Sequence, residues 1–171
     1  MIDLTDLNPQ ERAALARIEE TKDPAKLRNF ANNARRLKSR AVEEAAFRQL
    51  CFVQPEDRPG SLEHDVWQSI HALEEMLLEE RGKTVRLSRT RQKIAKEGEA
   101  KTVADLTLKK DASAGFFDLL ERKRPDLTFE AVVLRHSDIF DEEVRLAAIA
   151  RLSDANVDVE QMKQPVGGRY G

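Results

Sequence analysis

The sequence predicts an all-α fold, a compact multi-helical domain of about eight helices. Its N-terminal αα-hairpin would be followed by a long central helix and short C-terminal helices. Three observations carry this prediction. The six prolines all fall at the starts or ends of periodic segments, and none lies inside one. Apolar residues recur at the three- and four-residue spacings of one helical face. No segment shows the apolar–polar alternation of a half-buried strand.

The composition fits a folded, charge-rich domain. The chain has 171 residues, of which 40% are hydrophobic and 35% are charged, and its formal net charge is −2. Disorder throughout would need low hydrophobicity together with a high net charge. The single cysteine, Cys51, excludes an internal disulfide and a cysteine-based zinc site. Because the start of the chain (1–11) is acidic and no apolar run reaches the roughly 20 residues that span a bilayer, we expect a cytoplasmic protein with no membrane partner.

Capping patterns place the first three helices. The stretch Asn8–Glu11 combines a capping residue, a proline at the first helical position and a glutamate at the third, which predicts a helix over 9–20. An αα-hairpin over 24–53 follows, because Asp23 precedes a proline and the helical spacing resumes beyond it. We expect Ser39 to cap the second helix of this pair.

The clearest loop is 54–61, a candidate hinge within a single domain that we expect to cover 1–156. After it, Ser61 opens the longest helix, over 62–81. Its apolar residues are spaced by four, three and four, which is typical of a helix that packs against another helix. We expect Trp67 to be at least half buried, and the following four residues to be buried: Val66, Ile70, Leu73 and Leu77.

Short helices fill the rest of the chain. Gly82 and Gly98 sit where helices end. Beyond the first of these glycines, the spacing predicts helical segments that end at about 97, start again at 102, and then cover 112–123, 129–136 and 142–153. The remaining segment, 157–171, has no periodicity and is predicted to be a flexible tail.

The strongest local feature is the basic segment, residues 81–101, which holds eight basic and two acidic residues. If this segment is helical, spacings of three and four place several of its cations in one stripe. Such a stripe is suited to the phosphates of a nucleic acid, whose counterions it would release. The residues predicted to bind nucleic acid are Arg86, Arg89, Arg91, Lys93 and Lys96.

A second interpretation of the basic segment is that it pairs with the acidic end of the preceding helix, Glu74–Glu80. No aromatic residue lies in 81–101, so base stacking is not expected there. Segments 94–98 and 102–106 resemble a helix–turn–helix, although the glycine falls one residue early. The DNA-versus-RNA preference is left open by these residues.

A separate surface is predicted at Phe117. Phe116 has the helical spacing of a core residue with Leu119 and Leu120, which leaves Phe117 as a surplus aromatic residue and a candidate protein contact. The alternative function is therefore a helical protein–protein scaffold that uses the 24–53 helix pair and the Phe117 region.

No catalytic, metal or cofactor site is predicted. His64 and His71 are seven residues apart on one helix, about 10.5 Å along its axis, which is too far for two ligands of one ion. His136 lies at a helix C-terminus, where it interacts favourably with the helix dipole. Cys51 lies in an apolar stretch and is expected in the core. Because nucleophile motifs and phosphate-binding glycine loops are absent, we expect a non-catalytic module that binds the DNA or RNA backbone.

Overall fold

The computed structural model describes residues 4–166, and every regular element in that range is a helix. Two of these elements are short 3₁₀ helices, Leu4–Asp6 and Pro125–Leu127. The all-α prediction is therefore confirmed for the described residues, which form ten α-helices: α1 (Pro9–Glu20), α2 (Pro24–Arg36), α3 (Arg40–Val53), α4 (Leu62–Arg81), α5 (Ser88–Glu97), α6 (Glu99–Leu108), α7 (Ala114–Glu121), α8 (Phe129–Arg135), α9 (Glu142–Asp154) and α10 (Val159–Met162).

The chain forms two compact units, Met1–Glu56 and Asp57–Gly171. We call them the N-terminal and the C-terminal unit. Their boundary in the sequence lies inside the 54–61 loop, the segment that the sequence singles out as a candidate hinge. Each unit has its own cluster of buried apolar side chains.

In the N-terminal unit, α3 packs against both α1 and α2. The predicted capping box at α1 is present: the Asn8 side chain accepts from the backbone N–H of Glu11, and the Glu11 carboxylate accepts from the backbone N–H of Asn8. Ser39 occupies the residue before α3 but makes no side-chain cap. Its hydroxyl donates instead to Glu11 Oε1, at 2.6 Å, and so ties the start of α3 to α1.

The C-terminal unit is organised around α8. Four consecutive residues of this helix, Ala131 to Leu134, are buried. This burial follows from its neighbours, because α8 packs against α4, α6, α9 and α10. A short helix with neighbours on several sides buries apolar residues at consecutive positions, which explains a run without amphipathic spacing.

The segment predicted to be a flexible tail is partly helical. α10 lies within it, and the side chains of Met162 and Val166 are buried. The Asp158 side chain caps this helix by accepting from the backbone N–H groups of Glu160 and Gln161. The structure thus differs from the expectation over 157–166, and the rest of the predicted tail, 167–171, lies outside the described residues.

The apolar face of α4 divides into two parts. Val66 and Ile70 are fully buried, as predicted, and Trp67 is more than half buried. Leu73 and Leu77 retain partial exposure, so the prediction that they are buried is only partly met. The first half of α4 therefore belongs to the core, while the second half borders open clefts.

This division predicts unequal costs for truncating the two halves of the helix. Ile70→Ala is expected to lower the free energy of unfolding by about 2–5 kcal/mol, because it leaves a cavity among packed side chains. Leu73→Ala should cost clearly less, since water already reaches that side chain. Urea denaturation of both variants measures the difference, and equal costs would mean that the two halves of α4 are covered to the same extent.

Candidate nucleic-acid interface and partner surface

The basic segment begins at the end of α4 and contains α5. Gly82 ends α4 in the left-handed region, with φ of 68°, and residues 83–87 lead into α5 without regular structure. The first turn of α5 is held by α4, because the backbone N–H of Leu87 donates to Glu74 Oε1 at 2.8 Å. The Glu74 carboxylate thus attaches the start of α5 to α4.

Arg91 is engaged inside the protein. Its guanidinium makes two hydrogen bonds to the Glu74 carboxylate, of 2.8 and 2.7 Å, and lies 5.0 Å from the ring centroid of Trp67. Burial would raise the pKa of Glu74, but the hydrogen bonds from Arg91 and from the Leu87 backbone outweigh burial and lower this pKa. Arg91, one of the residues predicted to bind phosphate, therefore has an internal partner that competes with any ligand.

Lys93 is engaged as well. Its ammonium group donates to the carboxylates of Glu97 and Asp105, the latter at 2.7 Å, and Lys101 shares Asp105 at 3.1 Å. The hydrogen bond to Asp105 is the largest cause of the raised pKa of Lys93. The Lys93–Asp105 pair joins α5 to α6, so Lys93 stabilises the contact between these two helices.

The other cations of the basic segment up to residue 96 are exposed. Two acids near this segment are engaged elsewhere: Glu74 with Arg91, and Glu79 with Arg122 at 2.8 Å. We call these basic residues the exposed cations: Arg81, Lys83, Arg86, Arg89 and Lys96. None of them forms an ion pair within residues 4–166. Three of the five predicted site residues thus keep their charge open to solvent.

The α5–α6 pair differs from the expected helix–turn–helix. The second helix starts at Glu99 rather than at residue 102, because Gly98, with φ of 89°, makes the whole connection. Glu99 accepts a hydrogen bond from Trp67 Nε1 at 3.1 Å, and Asp105 lies further along the same helix. Since α6 carries these acids, the positive charge is concentrated on α5 and on the connection before it.

Phe117 is 58% exposed, while its neighbour Phe116 is buried. The two rings meet edge to face with centroids 5.5 Å apart. Phe117 borders a cleft of about 410 Å³ between α7 and α9, together with Leu108, which is 41% exposed. We call this cleft the Phe117 cleft, and its lining also includes charged residues of both signs, among them Lys109, Lys110, Asp111 and Asp154.

The helix pair of the N-terminal unit, the other half of the predicted scaffold surface, carries one large exposed apolar residue. Leu37 is 72% exposed and borders a cleft of about 370 Å³ with Phe30 and Val42. This cleft lies entirely within the N-terminal unit.

The structure also places a buried carboxylate, that of Asp65, beside two basic side chains, a contact that the sequence did not indicate. Asp65 Oδ2 accepts from Arg135 Nε at 3.1 Å and lies 2.8 Å from His136 Nε2. Burial would raise the pKa of Asp65, but the contacts with His136, His64 and Arg135 hold it well below its usual range. His136 thus lies at a helix end, as predicted, and also contacts a carboxylate that is 71 residues away in the sequence.

Other functional groups give no site in the described residues. No group of three or more His, Cys, Asp or Glu side chains in residues 4–166 is arranged to hold a metal ion. Cys51 is buried, as its apolar surroundings predict. None of the helices described has the length and apolar character needed to cross a membrane.

Comparison of the chain with protein-family models, with curated proteins and with solved structures finds no match.

Proposed function

We propose that the protein binds the sugar-phosphate backbone of nucleic acids through the exposed cations. The observation that carries this proposal is that five cations of the basic segment are exposed and unpaired within the described residues, while two nearby acids, Glu74 and Glu79, are held by other partners. Arg89 and Lys96 are seven residues apart on α5 and so project from one side of that helix.

The chemistry of this surface favours contact with phosphates over recognition of bases. Arginine and lysine side chains neutralise phosphates and release condensed counterions, a contribution that does not depend on sequence. The segment 81–101 has no aromatic side chain on which a base could stack. We therefore assign the protein weak sequence preference and strong dependence on salt.

Salt dependence is the first test of this function. For a random-sequence 30-base-pair duplex, the plot of log K against log salt should have a slope of up to about −4.5, at ~0.9 per cation. Single-stranded DNA should give a shallower slope, since each contact contributes about 0.7. Fluorescence anisotropy between 50 and 300 mM NaCl measures both slopes. No binding to duplex DNA, single-stranded DNA or RNA at the lowest salt would refute the proposal.

A second function, docking of a partner protein, is favoured by the Phe117 cleft. An exposed aromatic ring and an exposed leucine on one cleft are the kind of anchors that an amphipathic helix covers with its apolar face. Lys109, Lys110 and Asp111 of its lining would meet the polar edge of that helix. The N-terminal helix pair offers Leu37 as a second contact of the same type.

Helical peptides selected from a library for binding to the intact protein test this second function. Phe117→Asp should weaken those peptides at least about tenfold, because a charge would replace a central aromatic anchor. Ile139→Asp is the matched control, since Ile139 is also exposed but does not border the cleft. Both variants should keep the thermal midpoint. Peptides that bind the Phe117 variant as tightly as the original protein would exclude this cleft.

A further inference from the structure

A groove of about 450 Å³ lies in the C-terminal unit among α4, α5, α6, α7 and α8. Its volume is in the range of small-molecule sites, roughly 300–1,000 Å³. Most of its lining is apolar and includes Leu73, Leu87, Leu106, Phe116, Leu119 and Phe129. Five helices thus contribute side chains to one apolar concavity.

The polar groups of this groove are largely satisfied by the protein itself. The hydroxyl of Ser69 donates to the backbone carbonyl of Leu127, and the hydroxyl of Thr128 donates to the carbonyl of Pro125 at 2.7 Å. Since these hydroxyls are already used, an occupant would meet an apolar wall over most of the groove. Contact with such a wall favours a hydrocarbon or an aromatic body.

The charge of the groove is set by one residue. Only two charged side chains line it within the described residues, Arg89 and Glu130. Glu130 is 4% exposed, and its carboxylate accepts from Arg151 Nη1 at 2.6 Å, so its charge is balanced by a protein cation. Arg89 is exposed and has no ion pair in residues 4–166. Among the described residues that line the groove, Arg89 is therefore the charged side chain whose charge no ion pair balances.

We propose that this groove binds a small apolar carboxylate, with the hydrocarbon against the leucine and phenylalanine side chains and the carboxylate at Arg89. Guanidinium and carboxylate groups match in geometry and form charge-assisted hydrogen bonds, which are stronger than neutral ones. The apolar lining supplies the affinity for the body of the ligand, and Arg89 supplies the preference for an anion. This proposal does not rest on the proposed nucleic-acid function, although Arg89 belongs to both surfaces.

Sodium octanoate and 1-octanol are the probes for this proposal, because they share a chain and differ in charge. In a calorimetric or NMR titration, the intact protein should bind octanoate about tenfold more tightly than octanol, the size of one charge-assisted contact. Arg89→Ala should remove that preference while leaving octanol binding unchanged. Ala114→Trp places a bulky side chain at an exposed position on the groove wall and should abolish binding of both probes.

Arg86→Ala separates this proposal from nucleic-acid binding. Arg86 does not line the groove, so this variant should bind octanoate normally even where duplex binding is weakened. The proposal would be overturned if the original protein bound octanoate and octanol with equal affinity and Arg89→Ala changed neither affinity. The absence of octanoate binding at millimolar concentration would also overturn it, and neither result would bear on the phosphate contacts of the exposed cations.

Discussion

Replacing Asp65 by alanine is expected to lower the free energy of unfolding by about 3–5 kcal/mol, the cost of breaking a buried ion pair by removing one partner. Arg135 would remain in the interior with its side chain only 5% exposed. Its remaining hydrogen bond runs from Nη1 to the backbone carbonyl of Asp126, which carries no charge. His136 would lose the same carboxylate. Urea denaturation at pH 7 measures this cost.

Glu63→Ala is the control for this experiment. Glu63 is an exposed acid in the first turn of the same helix, so its removal costs only its interaction with the helix dipole, about 0.3–1 kcal/mol. Similar costs for the two variants would show that the charge of Asp65 has no buried partner and would contradict the geometry.

The stabilisation by Asp65 should also depend on pH, and the sign follows from its lowered pKa. In the unfolded chain this carboxyl takes up a proton as the pH falls below its ordinary pKa of 3.8, while in the folded protein it stays ionised. The unfolded state then binds more protons, so acid favours unfolding. The difference in stability between the original protein and Asp65→Asn should be full above about pH 5 and shrink as the pH falls below 4.

Local signals explain how much of the fold the sequence can predict. The bounds of α1 and α4 follow from capping residues at their starts, Asn8 and Ser61, whose side chains accept from backbone N–H groups as expected. The spacing does not reveal α10, because four residues are too few for a periodic pattern. The predicted start of α6 lies three residues too late, because a single glycine, Gly98, suffices for a connection that usually takes more residues.

Partial burial of α4 cannot be predicted from spacing. A regular apolar face shows that a helix packs, but it does not show how far its partners extend along it. Val66 and Ile70 lie in the core, whereas Leu73 borders the groove next to Gly115. Only the positions of the other helices decide which part of the face is covered.

The sequence indicates the basic segment and the acids of 74–80 as its candidate partners, and the Arg91–Glu74 pair bears out that interpretation for one cation. It does not indicate which cation pairs with which acid. Lys93 and Glu97 are four residues apart on one helix, a pair that the sequence allows. Arg91 and Glu74 are separated by 17 residues, and Lys93 and Asp105 by 12. Those contacts need the turns between α4, α5 and α6, which no local pattern specifies.

A triple variant, Arg86→Ala with Arg89→Ala and Lys96→Ala, should weaken duplex binding by up to about 500-fold at 0.1 M salt, if the contribution of these cations vanishes near 1 M. The reason is that three phosphate contacts and their released counterions are lost together. Lys93 is left in place, because it holds Asp105 and its removal would disturb the α5–α6 contact. The thermal midpoint of the triple variant should stay unchanged, since all three side chains are exposed.

A second triple variant provides the matched control. Lys22, Lys26 and Arg40 are exposed cations of the N-terminal unit, and replacing them by alanine changes the net charge by the same amount. If net charge alone governed binding, both triple variants would lose the same affinity. The proposed function predicts a large loss only for the variant in the basic segment.

The salt slope of duplex binding by the original protein and by the Arg86, Arg89 and Lys96 triple variant tests the proposed function most directly. We predict that the triple variant has a slope shallower by about 2.7, at ~0.9 for each lost contact, and that the Lys22, Lys26 and Arg40 control keeps the original slope. An unchanged slope in the triple variant would contradict the assignment of the exposed cations as the nucleic-acid interface.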